Sequence, residues 1–159
     1  MIYFQVMKAS ALVRNSFDIR NAVGVDLSDA DSFVLYAISN NNLCTQTDIV
    51  YFTNLHKVGV SRSCLKLESL GLVTREAHPG DCRMHLLALT SQGQSVMSNL
   101  SIALEEWENR LVRALGGDSG NQVAETVAQL ETIGMSATIR RAPPPRRAEY
   151  YELLKALVA

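Results

Sequence analysis

The chain has 159 residues, 47% of them apolar and 19% charged, a length for one core with an added arm and a composition that excludes intrinsic disorder. No apolar run approaches the ~18 residues of a membrane span, and the start MIYFQVMKAS lacks the basic-then-apolar layout of a secretion signal, so a cytoplasmic protein without a membrane partner is expected. The net charge of −1 is unevenly spread: residues 1–44 carry three basic and four acidic groups, 45–93 five and four, 94–137 two and six, and 138–159 five and two. An anionic partner would therefore meet the middle of the chain or its tail.

The helical spacing of Phe4, Met7, Ala11, Leu12, Phe17, Ile19 and Val23 predicts one long helix from Tyr3 to Val23, stopped by Gly24. Ser28 can cap a second helix, with Asp29 and Asp31 at its positive end and Phe33, Leu35, Tyr36 and Ile38 as its buried side. Thr45 and Asp48 make a capping box for a short helix with Ile49, Val50 and Phe52 inward, and a turn follows from Asn54 to His56. A further helix runs from about Lys57 to Leu70, where Gly71 ends it. At about 100° per residue, Val60, Cys64 and Leu67 share its core face, while Val58, Arg62, Leu65, Lys66 and Ser69 point outward.

LVTREAH and RMHLLALT then alternate as two strands joined by the turn former PGDC. Thr90 caps a long helix striped with Val96, Leu100, Leu104, Trp107, Leu111 and Leu115, and another helix carries Val123, Val127, Leu130 and Ile133. Residues 140–159 read as a basic, proline-rich linker and a short helix, expected to dock on the helical lobe or on a partner subunit. The resulting fold class is mainly α, a winged helix-turn-helix. Residues 1–35 and 91–139 read as helical regions on either side of residues 36–90, which carry the short helices and the hairpin.

Two helices joined by a tight turn, the second bearing outward Arg and Lys, followed at once by a charged hairpin, make the order of a winged helix-turn-helix. A helix fits the major groove, where Arg62 can reach a guanine edge or a phosphate, Ser61 a phosphate, and Val58 or Leu65 a thymine methyl. Arg83 at the hairpin tip can enter the adjacent minor groove. Lys57 and Lys66 are either phosphate contacts or solvated surface, and Arg75 is either an ion-pair partner or a phosphate contact.

Three stretches, TQTDI, VSRSCLKLESLGLVTR and HPGDCRMHLLALTSQG, agree in order and spacing with one family. Over residues 27–93 the chain resembles the MarR (multiple antibiotic resistance regulator) family of bacterial transcription regulators. The resemblance implies a homodimer whose first and last helices, within residues 1–35 and 91–139, form the dimerisation lobe, with residues 36–90 as the DNA-binding region and two recognition helices in successive major grooves of a pseudo-palindromic double-stranded operator. It aligns Ser61 and Arg62 on the recognition helix, Asp81 bracing the wing, and Arg83 at the minor groove. It also implies a small aromatic or carboxylate effector in a crevice beside the lobe, with Arg14, Arg20, Tyr36 and His56 as candidate contacts. Cys82 stands where the family often has a basic residue, and the tail after about Ile139 runs past the usual end.

The expected function is a repressor released by its effector. The competing readings are a winged-helix adaptor or antirepressor, favoured by the acidic balance and long tail, and a redox sensor working through an exposed Cys44 or Cys82. Cys64 reads as a core residue. His78, Cys82 and His85 surround one hairpin but lack a fourth ligand, so neither metal nor cofactor is expected. No GxSxG, GxxxxGK[ST] or HExxH motif occurs, which argues against an enzyme.

Overall fold

The computed structural model describes residues 1–40, 44–78 and 81–116 and, beyond them, 122–123, 125–130 and 132. Its elements are α1 (Ile2–Asn15), α2 (Ile19–Val23), α3 (Asp29–Asn40), β1 (Cys44–Thr45), α4 (Gln46–Thr53), α5 (Lys57–Ser69), β2 (Val73–His78), β3 (Asp81–Leu89) and α6 (Ser91–Leu115). The strands form an antiparallel sheet in the order β1-β3-β2. The chain divides into two compact units, Met1–Trp107 and Glu108–Ala159. In the second, the described residues from 122 onward are helical, with Val123, Val127 and Leu130 exposed. The expected docking of residues 140–159 and the position of Ile133 lie outside the described residues. No helix among the described residues is long and apolar enough to cross a membrane.

The single helix expected from Tyr3 to Val23 is two helices. Ser16 closes α1 by directing both its hydroxyl (2.7 Å) and its backbone N–H (3.0 Å) at the Val13 carbonyl. Asp18 then caps α2, its carboxylate accepting the Asn21 N–H. Apolar spacing reads continuously across the break because Phe17, Ile19 and Val23 still pack on the core. The preceding stripe does not: Phe4, Met7 and Leu12 are exposed. Gly24, with φ of +67°, ends α2 as expected.

In α3, Ser28 and Asp31 form a reciprocal capping box: the Asp31 carboxylate accepts the Ser28 N–H at 2.9 Å, and the Ser28 hydroxyl accepts the Asp31 N–H at 3.2 Å. The buried side is Val34, Leu35, Ala37 and Ile38 together with Asp31 and Ser32. Phe33 and Tyr36, expected inside, are 40% and 43% exposed. At helical spacing they share the outward arc with Asn40, where their rings stack on each other and tilt against Phe52 of α4, with centroids 6.0–6.5 Å apart. The Thr45–Asp48 box opens α4, and Asn54, at φ of +54°, ends it in the left-handed region that Asn tolerates.

Val60, Cys64 and Leu67 bury the inner face of α5. Its C-terminus is a Schellman motif: Gly71 at φ of +69° donates to the Glu68 carbonyl, Leu72 donates to the Leu67 carbonyl, and both leucines are fully buried. Leu72 then meets the start of α6. Its carbonyl accepts the Thr90 N–H at 3.0 Å, while the Thr90 hydroxyl donates to Gly71 and caps α6 by accepting the Gly93 N–H. Gly93 lies so close that an added Cβ would sit 2.0 Å from the Leu72 carbonyl oxygen. The side chains of Val96, Met97 and Leu100 complete the core from α6.

Because that oxygen is backbone and cannot swing aside, Gly93→Ala is expected to destabilise the fold by about 1–3 kcal/mol, measured as a lower urea midpoint at unchanged slope. Gly59→Ala, with nothing within 4 Å of the new methyl, serves as the comparison and is expected to be neutral or slightly stabilising. Equal midpoints for the two variants would contradict the close-packing account.

Candidate nucleic-acid interface

Helices α4 and α5, joined through Asn54–His56, form the helix-turn-helix, and β2–β3 forms the wing. With the inner face of α5 buried, its outer face carries Lys57, Val58, Arg62 and Leu65 exposed and Ser61 half-buried. Val58 and Leu65 are just over half exposed and flank Arg62 at helical spacings of four and three. Among the described residues neither Lys57 nor Arg62 has an ion-pair partner, so both cations are available on this face.

Lys66 is different. Expected to point outward with Arg62, it instead turns along α5 so that its Nζ donates to Asp31 Oδ2 at 2.8 Å. The Asp31 side chain is only 6% exposed. Burial pushes its carboxyl up, but Lys66, the Ser28 backbone and the Ser63 and Ser28 hydroxyls together outweigh this and hold it below its ordinary value. Arg75, with two readings from the sequence, extends from β2 toward the end of α5, its Nη1 3.9 Å from Glu68 Oε2. Its Nε is buried without a hydrogen-bond partner among the described residues.

Asp81 and Arg83 lie at the start of β3, with a register shift in its pairing with β2 at Ala77 and His78. Their side chains, like those of His78 and Cys82, lie outside the described residues. Among the described residues no group of three His, Cys, Asp or Glu side chains can hold a metal ion.

Cys44, taken as a possible exposed sensor, is buried in β1 opposite Leu87. Burial, with Asp48 and Cys64 nearby, pushes its thiol up to about 12. Burial likewise raises Cys64 to about 11, against the pull of the Arg75 charge. Thiolates are scarce at neutral pH in such surroundings, so neither Cys44 nor Cys64 has the thiolate character of a reactive cysteine.

The four effector candidates each have their own surroundings. Arg14 Nε lies 3.6 Å from Asp29 Oδ2 and Arg20 pairs with Asp26, so a ligand carboxylate would have to displace a carboxylate of the chain itself. Tyr36 belongs to the aromatic cluster, and His56 is exposed at the N-cap of α5. A cavity of about 360 Å³ opens elsewhere, between α3, β3 and α6, with polar Ser39, Gln94, Ser98 and Ser101 facing apolar Ile38, Leu89 and Met97. These residues come from three separate elements and share no sequence pattern, so nothing in the sequence marked them.

A family model described as MarR family matches residues 25–84. Among solved structures, the chain is 25% identical to the transcriptional repressor CouR bound to a 23-mer DNA duplex, over 82% of this chain and 92% of that one, with a TM-score of 0.73. It is 22% identical to MarR, over 82% and 98% of the two chains, with a TM-score of 0.73. To Bordetella bronchiseptica BpsR, whose DNA binding is regulated by 6-hydroxynicotinic acid, it is 18% identical over 82% and 98%, with a TM-score of 0.70. No curated protein matches the chain.

Asp31 has a folded-state pKa below its unfolded one, so the stability it contributes is complete above the ordinary carboxylate range and is lost as pH falls through the lowered folded value. Urea unfolding from about pH 6 to about pH 3 is expected to show a steeper loss of stability in the wild type than in Asp31→Asn. Parallel losses would contradict the ionised, hydrogen-bonded carboxylate.

Proposed function

We propose that this chain, which carries the MarR-family winged helix-turn-helix over residues 25–84, is a DNA-binding transcriptional repressor that acts as a homodimer and is released by a small effector. The observation that carries the reading is the two-sided character of α5. Its inner face is sealed in the core, while Lys57, Ser61, Arg62 and Leu65 face outward with no acid opposing Lys57 or Arg62 among the described residues. Arg62 suits a guanine edge in the major groove, Ser61 and Lys57 suit phosphates, and Leu65 with Val58 suits thymine methyls. Asp81 and Arg83, at the start of β3, take the wing-bracing and minor-groove roles. The likeness to a repressor bound to a DNA duplex supports this assignment.

The dimer reading rests on exposed apolar side chains that solvent tolerates poorly: Phe4, Met7 and Leu12 on α1 and Ile102 on α6. A two-fold dimer places two recognition helices on half-sites about one helical turn apart, so the operator is pseudo-palindromic. For the effector, the cavity between α3, β3 and α6 adjoins the root of the wing. Its uncharged lining favours a ligand that hydrogen-bonds over one held by charge alone, and Arg14, Arg20, Tyr36 and His56 constitute the alternative contact set. A ligand bound at the wing root acts on DNA affinity to the extent that it favours one spacing of the recognition helices over another.

Fluorescence anisotropy with duplex from upstream of the chain's own gene, beside scrambled duplex, tests the reading. Sequence-selective, salt-sensitive binding is expected, weakened by about 1–3 kcal/mol in Arg62→Ala, with a dimer in sedimentation velocity. Equal binding to both duplexes, unchanged in Arg62→Ala, would favour the adaptor reading.

A further inference from the structure

The recognition helix carries three cations, Lys57, Arg62 and Lys66, but one of them is committed inside the fold. Lys66 donates to Asp31 Oδ2 at 2.8 Å, and the same oxygen accepts the Ser28 N–H at 2.9 Å. Ser63, one helical turn before Lys66 and buried, adds to the pull that holds the carboxyl low. Asp31 therefore does two jobs: it completes the cap of α3, and it grips α5 through Lys66. Two residues earlier, Asp29 at the start of the same helix lies against Arg14 of α1. The start of α3 thus touches both α1 and the recognition helix.

We propose that Asp31 is a positioning residue for DNA binding, which fixes the recognition helix through Lys66 and withholds the Lys66 ammonium from the phosphate backbone. The inference rests on the DNA-binding reading above. Its physical basis is asymmetry of exposure: the Lys66 side chain is 39% exposed, whereas that of Asp31 is 6% exposed. If Lys66 left for a phosphate, a buried carboxylate would lose its charge partner, a penalty that a solvated, salt-screened phosphate contact does not repay. Arg62 and Lys57 have no such partner among the described residues, so the helix offers DNA two cations and holds the third as a brace. A salt-bridge role and a phosphate role for Lys66 make opposite forecasts for one measurable quantity, the number of counterions released on binding.

That number is read from the salt dependence of binding to a fluorescently labelled mixed-sequence duplex, which needs no knowledge of the operator, because each phosphate neutralised adds about 0.9 to the slope of log K against log salt. The full-length chain is compared with Asp31→Asn/Lys66→Met, Asp31→Asn and Lys57→Ala, each checked for folding by circular dichroism. The double variant removes both charges together and so leaves no buried carboxylate unpaired. Its slope is expected to match the wild type, while Lys57→Ala loses about 0.9 per protomer. Asp31→Asn frees Lys66 and is expected to steepen the slope by a similar amount.

A double variant whose slope falls as far as that of Lys57→Ala would overturn the inference, since Lys66 would then be a phosphate contact in the wild type. If Asp31→Asn does not fold, the comparison of the double variant with the wild type still decides. A wild-type chain that binds no duplex at any salt would contradict the DNA-binding reading itself, and this inference with it.

Discussion

One helix has to be dry on one side and wet on the other. The thirteen residues of α5 bury Val60, Ser63, Cys64 and Leu67 and leave Lys57, Val58, Arg62 and Leu65 in solvent. Burial of its apolar side chains at about 1.5–3 kcal/mol for a Val or Leu anchors α5 against α3, α4 and β2, which meet it inside. A polar clamp joins that packing, with Asp31 holding Lys66. The outer face is consequently presented by a rigid element whose rotation is set from within, the condition for side chains to meet base edges at fixed positions.

The end of α5 carries the same constraint into the wing and into α6. Gly71 takes the left-handed conformation, which lets the chain reverse over Leu67 and Leu72 and enter β2 at once. The Leu72 carbonyl then receives Thr90, and Gly93 offers no side chain to keep α6 away from it. Recognition helix, wing root and first turn of α6 are therefore joined by backbone contacts within a few residues of each other. The 360 Å³ cavity lies beside this junction, lined from α3, β3 and α6, so an occupant would touch elements that meet both the recognition helix and the wing.

Much of this was legible in the sequence because it is local. The Thr45–Asp48 box, the turn at Asn54, the core face of α5, the stop at Gly71 and the Thr90 cap each depend on residues within a few positions of one another. What was not legible depends on partners far along the chain. The two residues of β1 have no periodicity of their own and become a strand only by pairing with Leu86 and Leu87. Phe33 and Tyr36 look like core by hydrophobicity, yet Asp31 and Ser32 occupy the interior because ligands for the carboxylate come from α5, 35 positions away in the case of Lys66. That same distance concealed that Lys66 is engaged. The break between α1 and α2 was a different failure: Asp18 is a good cap, but apolar spacing continued across it and concealed the turn.

The central claim is that the outer face of α5 enters the major groove, twice in a dimer. Dimethyl sulfate methylates guanine N7 in that groove, so methylation protection on a duplex bound by the chain reads the claim directly. The account predicts two clusters of protected guanines about one helical turn apart, with the inner edge of each cluster exposed again in Arg62→Ala. A bound duplex whose guanines are methylated as fast as in free DNA would contradict it.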